Sequence, residues 1–363
     1  MVNVIYGAGI YANIFCKEME NNNIQVEYFI DEYTELKSLS NKKIKRLKDV
    51  SFDDIIIYIS ITSPMAEIEV QQTLKELGTK KVYTFIETLN LFPNLIPTCV
   101  KFTKTWHTDD LSKMIQMDKI KEFKSLLNDK KSIDLLDTIV EFRKNLIPEN
   151  YPNPELEPQY FPSDINLFAH LDKIKFVDGG AYIGDTIVES IVGFENANKN
   201  IDYIASFEPD QANIKKLSEE VKKQKELYPD INFLIFSSGL WSSNEILEFS
   251  DNSGSSSSLV HIISENTIKI QTVELDKTLI GASPNYIKMD IEGAEKMAIL
   301  GAKETIGEYS PVLAICLYHK PHDLWELPLL INKLNSNYNM YLRIYDNMGL
   351  ELVLYCVPKS YNV

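Results

Sequence analysis

The chain has 363 residues, of which 44% are hydrophobic and 25% are charged, the usage of ordinary globular proteins. Its 52 acidic residues outnumber its 37 basic residues, giving a formal net charge of −15 at pH 7. This charge would repel nucleic-acid phosphates and anionic lipids, and no apolar run approaches the ~20 residues of a membrane span. We therefore expect a large protein of two or three domains that binds neither nucleic acid nor membranes.

Residues 1–97 predict a small Rossmann-like α/β domain. The predicted elements are a strand at Asn3–Tyr6, a helix to about Asn21, a strand at Val26–Ile30, a strand at Asp54–Ser60, a helix at Met65–Leu77 and a strand at Lys81–Phe85. The turn Gly7-Ala-Gly-Ile-Tyr-Ala12, with Asp31 after the second strand, fits a nucleotide-binding fingerprint in which Ala12 replaces the third glycine. Two interpretations remain: a site that handles a ligand or substrate, and a degenerate module used for docking or dimerisation.

Residues 98–164 predict a helical and proline-rich connector. Helical spacing of apolar residues runs from about Asp109 to Lys144. Five of the fifteen prolines then fall between Pro148 and Pro162, which is typical of a linker or an extended strap.

Residues 165–363 predict a seven-stranded sheet. The expected strands are Lys175–Gly179, Tyr203–Phe207, Asn232–Phe236, Asn285–Asp290, Val312–Tyr318, Tyr338–Tyr345 and Glu351–Val357. The first five are separated by segments long enough for parallel crossovers, whereas the last two are close enough for a hairpin. A mostly parallel sheet with one antiparallel strand is the architecture of class I methyltransferases.

Acids and glycines follow two of these strands. Asp178 and the glycines at 179, 180 and 184 end the first strand, and Glu208 follows the second. In open α/β sheets ligands bind at the carboxyl ends of the strands, and a carboxylate there can accept hydrogen bonds from a ribose diol. The pattern favours a cofactor crevice, although the glycines alone could simply shape a tight turn.

Four motifs in this region resemble those of the FkbM family of S-adenosylmethionine-dependent O-methyltransferases. They are Asp178-Gly-Gly-Ala-Tyr-Ile-Gly-Asp-Thr186, Phe207-Glu-Pro-Asp210, Ile287-Lys-Met-Asp-Ile-Glu-Gly-Ala-Glu295 and Leu317-Tyr-His-Lys-Pro-His-Asp-Leu324. The two closing strands also resemble that family, and the likeness covers roughly residues 159–358. The resemblance implies an enzyme that methylates a hydroxyl, most plausibly on a sugar of a surface glycan or its nucleotide-linked precursor.

The resemblance also implies roles for individual residues. Asp178, Gly179 and Gly180 would hold the methionine part of the cofactor, with Gly184 allowing close approach. Glu208 would bind the ribose hydroxyls. Adenine would lie against the segment from Ser238 to Trp241.

Asp290, Glu292 and His319 would meet beside the reactive methyl group, where Asp290 would also contact the cofactor. A hydroxyl is a weak nucleophile until it loses its proton, so we expect His319 to be the general base, with Asp290 or Glu292 orienting its ring. Alternatively, the same three residues could bind a divalent cation. We favour the metal-free base. The competing structural interpretations are surface acids at a helix start and a buried structural histidine.

Three further expectations concern the rest of the chain. The run Ser253–Ser258 could be a lid over a polyhydroxylated acceptor or a hairpin tip. The four scattered cysteines indicate reduced core residues, which together with the absence of a signal-peptide pattern favours the cytoplasm. Homo-oligomerisation is possible. The other function classes are an NAD-dependent oxidoreductase and a non-catalytic nucleotide-sugar-binding protein.

Overall fold

The computed structural model describes residues 1–103, 105–250 and 267–362. The segment Ser253–Ser258 and His261 lie outside these residues. The chain forms two compact units, and each unit is built from several separate stretches of the sequence. Unit 1 comprises residues 1–114, 135–157 and 344–351, and unit 2 comprises residues 115–134, 158–343 and 352–363. The segment 98–164, predicted as a connector, is thus divided between the two units.

The strands of unit 1 are β1 (Val2–Tyr6), β2 (Val26–Ile30), β3 (Ser38–Leu39), β4 (Lys42–Lys45), β5 (Ile55–Ile59) and β6 (Lys81–Tyr83). Those of unit 2 are β7 (Lys173–Gly179), β8 (Asn200–Phe207), β9 (Asn232–Phe236), β10 (Gly239–Leu240), β11 (Glu245–Ser250), β12 (Thr267–Val273), β13 (Tyr286–Met289), β14 (Val312–Cys316), β15 (Tyr338–Ile344) and β16 (Leu352–Pro358).

The helices preceding β7 are α1 (Ile10–Asn21), α2 (Pro64–Glu76), α3 (Phe85–Leu91), α4 (Leu95–Thr103), α5 (Leu111–Met114), α6 (Met117–Lys124) and α7 (Lys130–Asn145). Those that follow it are α8 (Asp185–Asn196), α9 (Gln211–Leu227), α10 (Leu275–Thr278), α11 (Glu295–Gly301), α12 (Lys303–Tyr309) and α13 (Asp323–Leu334).

Unit 1 is built on a six-stranded sheet in the order β3-β4-β2-β1-β5-β6. β1 pairs in parallel with both β2 and β5, whose apolar runs are buried, and α1 forms the crossover from β1 to β2. The predicted strand at Lys81–Phe85 ends at Tyr83 instead. The Thr84 hydroxyl accepts a hydrogen bond from the Glu87 amide and the Glu87 side chain accepts one from the Thr84 amide, a capping box that starts α3 at Phe85.

Unit 2 contains the predicted seven-stranded sheet, in the order β15-β16-β14-β13-β7-β8-β9. β13 pairs in parallel with β7 and β14, β8 pairs in parallel with β7 and β9, and β16 runs antiparallel to β14. The fold-class prediction is confirmed. A second sheet of three strands, in the order β10-β12-β11, was not predicted, since its strands are short or partly polar.

Aromatic side chains fill the centre of unit 2. Phe176 of β7 stacks on Tyr286 of β13 with ring centroids 5.1 Å apart, and Phe194 of α8 meets both rings edge to face. The Tyr286 hydroxyl donates a 2.6 Å hydrogen bond to the backbone carbonyl of Tyr160. The proline-rich segment is therefore fixed to the central strands at this point.

Two expectations from the composition concern the cysteines and the length of the helices. All four cysteines are buried and none forms a disulfide with a described residue. Across the residues that the structure describes, every helix falls short of the length and apolar character needed to span a membrane.

Two glycines in neighbouring helices test how tightly unit 2 is packed. A Cβ at Gly301 would lie 1.9 Å from the backbone oxygen of Trp241, whereas one at Gly307 would have no neighbour within 4 Å. We expect Gly301→Ala to lower the free energy of unfolding by about 1 to 3 kcal/mol through overpacking. Gly307→Ala, the matched control, should raise it by about 0.5 to 1 kcal/mol through helix propensity. Urea denaturation of both variants measures the difference, and equal stabilities would contradict the packing described.

Candidate active site

The carboxyl ends of β7, β8 and β13 lie side by side at one edge of the large sheet. The amides of Gly180 and Ala181 each donate a 3.0 Å hydrogen bond to the carbonyl of Phe207, at the end of β8. The amide of Asp290 donates a 3.1 Å bond to the carbonyl of Gly179. The residues that follow the three strands are thereby brought into one region, as the sequence predicted.

A buried ion pair joins β7 to β13. The Lys288 ammonium lies 3.0 Å from Asp178 Oδ1 and donates a 2.8 Å hydrogen bond to the carbonyl of Gly180. The Asp178 and Lys288 side chains are 0% and 2% exposed. Burial raises the pKa of Asp178, and the Lys288 ammonium opposes that rise. The Asp178 carboxylate is therefore enclosed by protein rather than open to a ligand, and Lys288 links it to the glycine turn.

The glycines of the turn are required by contacts within the protein. Gly180 has φ +80°, and a Cβ there would lie 1.9 Å from the carbonyl oxygen of Asp290. Gly184 has φ +92° at the start of α8, and its Cβ would lie 3.2 Å from side-chain atoms of Leu217 and Glu220. A Cβ at Gly179 would lie 2.9 Å from Leu240. The last contact places the Ser238–Trp241 segment, part of which is strand β10, beside the turn.

Glu208 is buried directly after β8 and faces the same turn. Its Oε2 accepts a 3.0 Å hydrogen bond from the Tyr182 amide, and its Oε1 accepts bonds from the Asp210 amide at 2.8 Å and from Asn213 Nδ2 at 3.4 Å. Burial raises the pKa of Glu208, and these hydrogen bonds oppose the rise. Because a carboxylate offers about four acceptor positions, one on Oε2 remains for a ligand.

His319 follows β14 and is surrounded by carboxylates. Its Nδ1 lies 2.9 Å from Glu295 Oε1, and its Nε2 lies 3.3 Å from Asp290 Oδ1 and 3.8 Å from Glu292 Oε2. The three predicted catalytic residues therefore come together as expected, and Glu295 joins them. Glu292 is the most open member, with a side chain 47% exposed and a backbone φ of +55°.

Two tyrosines hold the Asp290 carboxylate in place. Tyr160 donates a 3.0 Å hydrogen bond to Oδ2, and Tyr318 donates a 3.3 Å bond to Oδ1. Burial opposes ionisation, but the adjacent His319, Lys288 and Tyr160 hold the pKa of Asp290 well below its usual range. Asp290 is therefore ionised and ready to accept hydrogen bonds or a positive charge.

The carboxylates also set the protonation of the histidine. Burial lowers the pKa of His319, but the charges of Glu295 and Asp290 outweigh it and raise this pKa well above its ordinary value. Partial burial raises the pKa of Glu292, His319 opposes the rise, and the other carboxylates add to it. The carboxylates thus favour the protonated form of His319, an imidazolium between negative groups.

The cluster also fits a divalent cation, with Glu295 in place of the predicted Glu292. Ligand atoms of Asp290, Glu295 and His319 all lie within 4.8 Å of one another. One imidazole and two carboxylates are suitable ligands for Mn²⁺, Fe²⁺ or Zn²⁺. A cation bound here would supply the positive charge that a proton on His319 would otherwise supply.

Three contributing residues were missed in the sequence, namely Lys288, Glu295 and Tyr160. Lys288 was detectable, because a lysine inside the apolar run of a parallel strand requires a buried partner. Glu295 ends the recognised motif, but its direction toward His319 depends on where α11 begins. Tyr160 lies in the proline-rich segment, where no periodic pattern marks a buried side chain.

Comparison with known proteins identifies the family of one domain and a similar fold. Residues 178–348 match the family profile described as the methyltransferase FkbM domain. In structure the chain is similar to the crystal structure of methyltransferase FkbM from Methylobacillus flagellatus KT, with a TM-score of 0.61 and 22% sequence identity, over 98% of this chain and 89% of that one. The CMeT domain of citrinin polyketide synthase has a TM-score of 0.26 and 10% identity, over 82% of this chain and 80% of that one, too remote to support an argument. No curated protein sequence matches the chain.

The fold is that of a Rossmann-like methyltransferase. Residues 178–348 form a methyltransferase domain of the FkbM family, so the resemblance of the sequence motifs is confirmed.

A double-mutant cycle tests the buried ion pair. Asp178→Leu or Lys288→Met alone leaves one buried charge without its partner, which should cost about 3 to 5 kcal/mol of unfolding free energy. The double variant should lose clearly less than the sum of the two, because neither charge remains. Guanidinium denaturation of all four proteins gives the coupling energy. Strictly additive losses would show that the two side chains do not interact.

Proposed function

We propose that the protein is an S-adenosylmethionine-dependent O-methyltransferase that acts on a hydroxyl of a sugar, in a surface glycan or its nucleotide-linked precursor. The observation that carries this proposal is the meeting of Asp290, Glu292 and His319 at the sheet edge that also bears Glu208 and the glycine turn. Glu208 is near enough to Glu292 to affect its pKa. A methyltransferase domain thus has acids for cofactor binding and a potential base in one region.

The residues present fit the proposed cofactor. Glu208 keeps one acceptor position for a ribose hydroxyl, and the ionised Asp290 suits the methionine ammonium. Gly179 and Gly180 bring backbone close to that position, while Asp178 would act indirectly by holding Lys288. When bound, the cofactor supplies an electrophilic methyl group on a positively charged sulfur.

His319 is the proposed general base. It can accept the proton of the acceptor hydroxyl only after losing its own, and its raised pKa makes it a stronger base once neutral. Glu295 at Nδ1 fixes the ring and stabilises the imidazolium that forms. Glu292, half-exposed at the open side, would accept hydrogen bonds from other hydroxyls of a sugar. Such a polyol supplies many donors and no negative charge, which suits a cluster of three carboxylates.

If the cluster binds a cation instead, methyl transfer should depend on the presence of a metal ion. If Asp290, Glu295 and His319 hold a divalent metal, His319 would serve as a neutral ligand rather than as the base, and the metal would supply Lewis-acid polarisation of the acceptor oxygen. Chelator-treated enzyme would then lose methyl transfer and recover it with added Mn²⁺ or Zn²⁺. Full activity in the presence of chelator supports the metal-free base.

The overall proposal is tested by incubating the purified chain with methyl-labelled S-adenosylmethionine and pools of nucleotide-sugars and cell-surface glycans. We expect label in an O-methylated sugar together with release of S-adenosylhomocysteine. Transfer to nitrogen or carbon only, or to acceptors without hydroxyls, would reject O-methylation. Absence of S-adenosylmethionine binding by calorimetry would reject the cofactor.

Replacing the acid after β8 tests the ribose assignment. We expect Glu208→Gln to weaken S-adenosylhomocysteine binding by about tenfold, because a neutral amide accepts weaker hydrogen bonds than a carboxylate. Asp202→Asn, on β8 but at its partly exposed opposite half, is the matched control and should leave affinity unchanged. Calorimetric titration measures both. Equal affinity of the Glu208 variant and the unaltered protein would remove Glu208 from the ribose site.

The pH dependence of turnover tests the base. Since the base must be neutral and its pKa is raised, turnover should be low at acidic pH and rise through a pKa above the usual value near 6.5. His319→Gln should remove this rise and lower turnover by about 10² to 10⁴ with little effect on cofactor affinity. His322→Gln, three positions along, is the control and should keep the profile. A pH rise that persists without His319 would assign it to another group.

A further inference from the structure

Unit 1 contains a cavity of its own. It has a volume of about 550 Å³ and opens at the carboxyl ends of β1, β2 and β5. β1 is the central strand with β2 on one side and β5 on the other, so the chain order reverses at this point. Open α/β sheets bind ligands at such switch points, and this volume is within the range of small-molecule sites.

The backbone at the floor of the cavity is accessible. Gly7 has φ +101°, and a Cβ there would lie 2.7 Å from Ser60 Oγ, so the turn after β1 must be glycine. Gly9, the residue before α1, has an ordinary φ of −85°, and a Cβ there would meet no atom within 4 Å. The fold therefore does not require glycine at position 9, and the open space beside it is part of the cavity.

Asp31, the acid after β2, is hydrogen-bonded to backbone amides of its own chain. Asp31 Oδ2 accepts a 2.9 Å hydrogen bond from the Ala8 amide, and Oδ1 accepts 2.8 Å bonds from the Tyr33 and Thr34 amides. The Ala8 amide, in the turn before α1, is thus already bound by a carboxylate of the chain itself. The neighbouring Glu32 accepts one bond, from the Leu47 amide to Oε1 at 2.5 Å, and its Oε2 remains for a ligand.

The remaining lining is acidic and aromatic. Asp31, Glu32 and Glu69 line the cavity, and within the described part of the chain no lysine, arginine or histidine does. Tyr33 is 92% exposed at its edge, where a planar ring could stack on it. This lining suits an uncharged ligand with hydroxyls and a flat ring, and offers no cation for phosphate.

We propose that this cavity binds a ribonucleoside group. Glu32 accepts hydrogen bonds from the ribose diol, the backbone at Gly9 lies against the sugar, and the base stacks on Tyr33. The group belongs either to a free nucleoside or to a nucleotide-linked sugar whose phosphates extend into solvent. All residues of this site are in unit 1, so it is independent of the methyltransferase proposal.

Calorimetry of the full chain with adenosine, guanosine, cytidine and uridine tests the site, and substitutions in unit 1 distinguish this binding from any binding in the methyltransferase domain. We expect at least one ribonucleoside to bind, and its 2′-deoxy counterpart to bind about fivefold or more weakly because one diol hydroxyl is missing. The matching 5′-diphosphate and nucleotide-linked hexose distinguish the two sources. If the nucleoside binds as tightly as its 5′-diphosphate and its hexose conjugate, the recognised ligand is the free nucleoside. If the hexose conjugate binds more tightly, the recognised ligand is the nucleotide-linked sugar.

Two substitutions localise the binding. Gly9→Thr fills the open space while keeping a residue that favours helix starts, and should weaken the nucleoside about tenfold or more. Glu32→Gln keeps the Leu47 contact and should weaken it about fivefold. Gly307→Thr adds the same atoms at an equally open position in unit 2 and should change nothing. Unaltered S-adenosylhomocysteine binding and thermal unfolding show that each variant is folded.

Three results would overturn the proposal. They are the absence of binding by every ribonucleoside, binding that neither Gly9→Thr nor Glu32→Gln weakens, and binding of the diphosphates without the nucleosides. The last would mean that phosphate is the recognised group despite the acidic lining.

Discussion

The site in unit 2 depends on one buried ion pair, between Lys288 and Asp178. Removing two charges from water is costly, and a further hydrogen bond to either charge offsets part of that cost. Lys288 donates one to the carbonyl of Gly180, and the backbone of Gly180 is pressed against that of Asp290. The pair therefore sets the spacing between the turn that would hold a cofactor and the first acid of the reacting cluster.

The reacting cluster is organised around a surplus of negative charge. Asp290, Glu292 and Glu295 face a single imidazole, and Lys288 contributes a positive charge from behind Asp290. One positive centre must be bound among these acids, whether a proton on His319 or a metal ion. A positively charged cofactor would be attracted to the same field, and its neutral product would be held less strongly. In the proposed methyl transfer, this difference would favour exchange of the spent cofactor after each turnover.

Much of the large sheet could be predicted because its strands are long apolar runs separated by crossover-length segments. All seven predicted strands are present, with ends shifted by a few residues. Asp178, Glu208, Asp290 and His319 could also be placed, since each follows a strand. The small sheet containing β10 was not predicted, because β10 has only two residues and the longer β11 and β12 are partly polar. The direction of the Glu295 side chain and the burial of Tyr160 could not be predicted either, because both are decided by tertiary packing rather than by a local sequence pattern.

In unit 1 the sequence located the glycine turn and Asp31 but not how they interact. A carboxylate at that distance along the chain is usually assigned to a ligand. Here three backbone amides bind it, a use that depends on the loop from Tyr33 to Thr34 folding back over β2. The spacing of the fingerprint therefore predicts that the glycine turn and Asp31 lie close together. The loop that follows Asp31 decides which groups bind its carboxylate.

Tyr160 connects a segment without regular structure to the chemistry of unit 2. Its carbonyl is held by Tyr286, and its hydroxyl by the carboxylate of Asp290. Protonating or neutralising that carboxylate would weaken one of these two attachments and leave the other intact. Backbone amide exchange around residues 158–162 would then report the charge state of the reacting centre, giving a readout of site ionisation that requires neither substrate nor turnover.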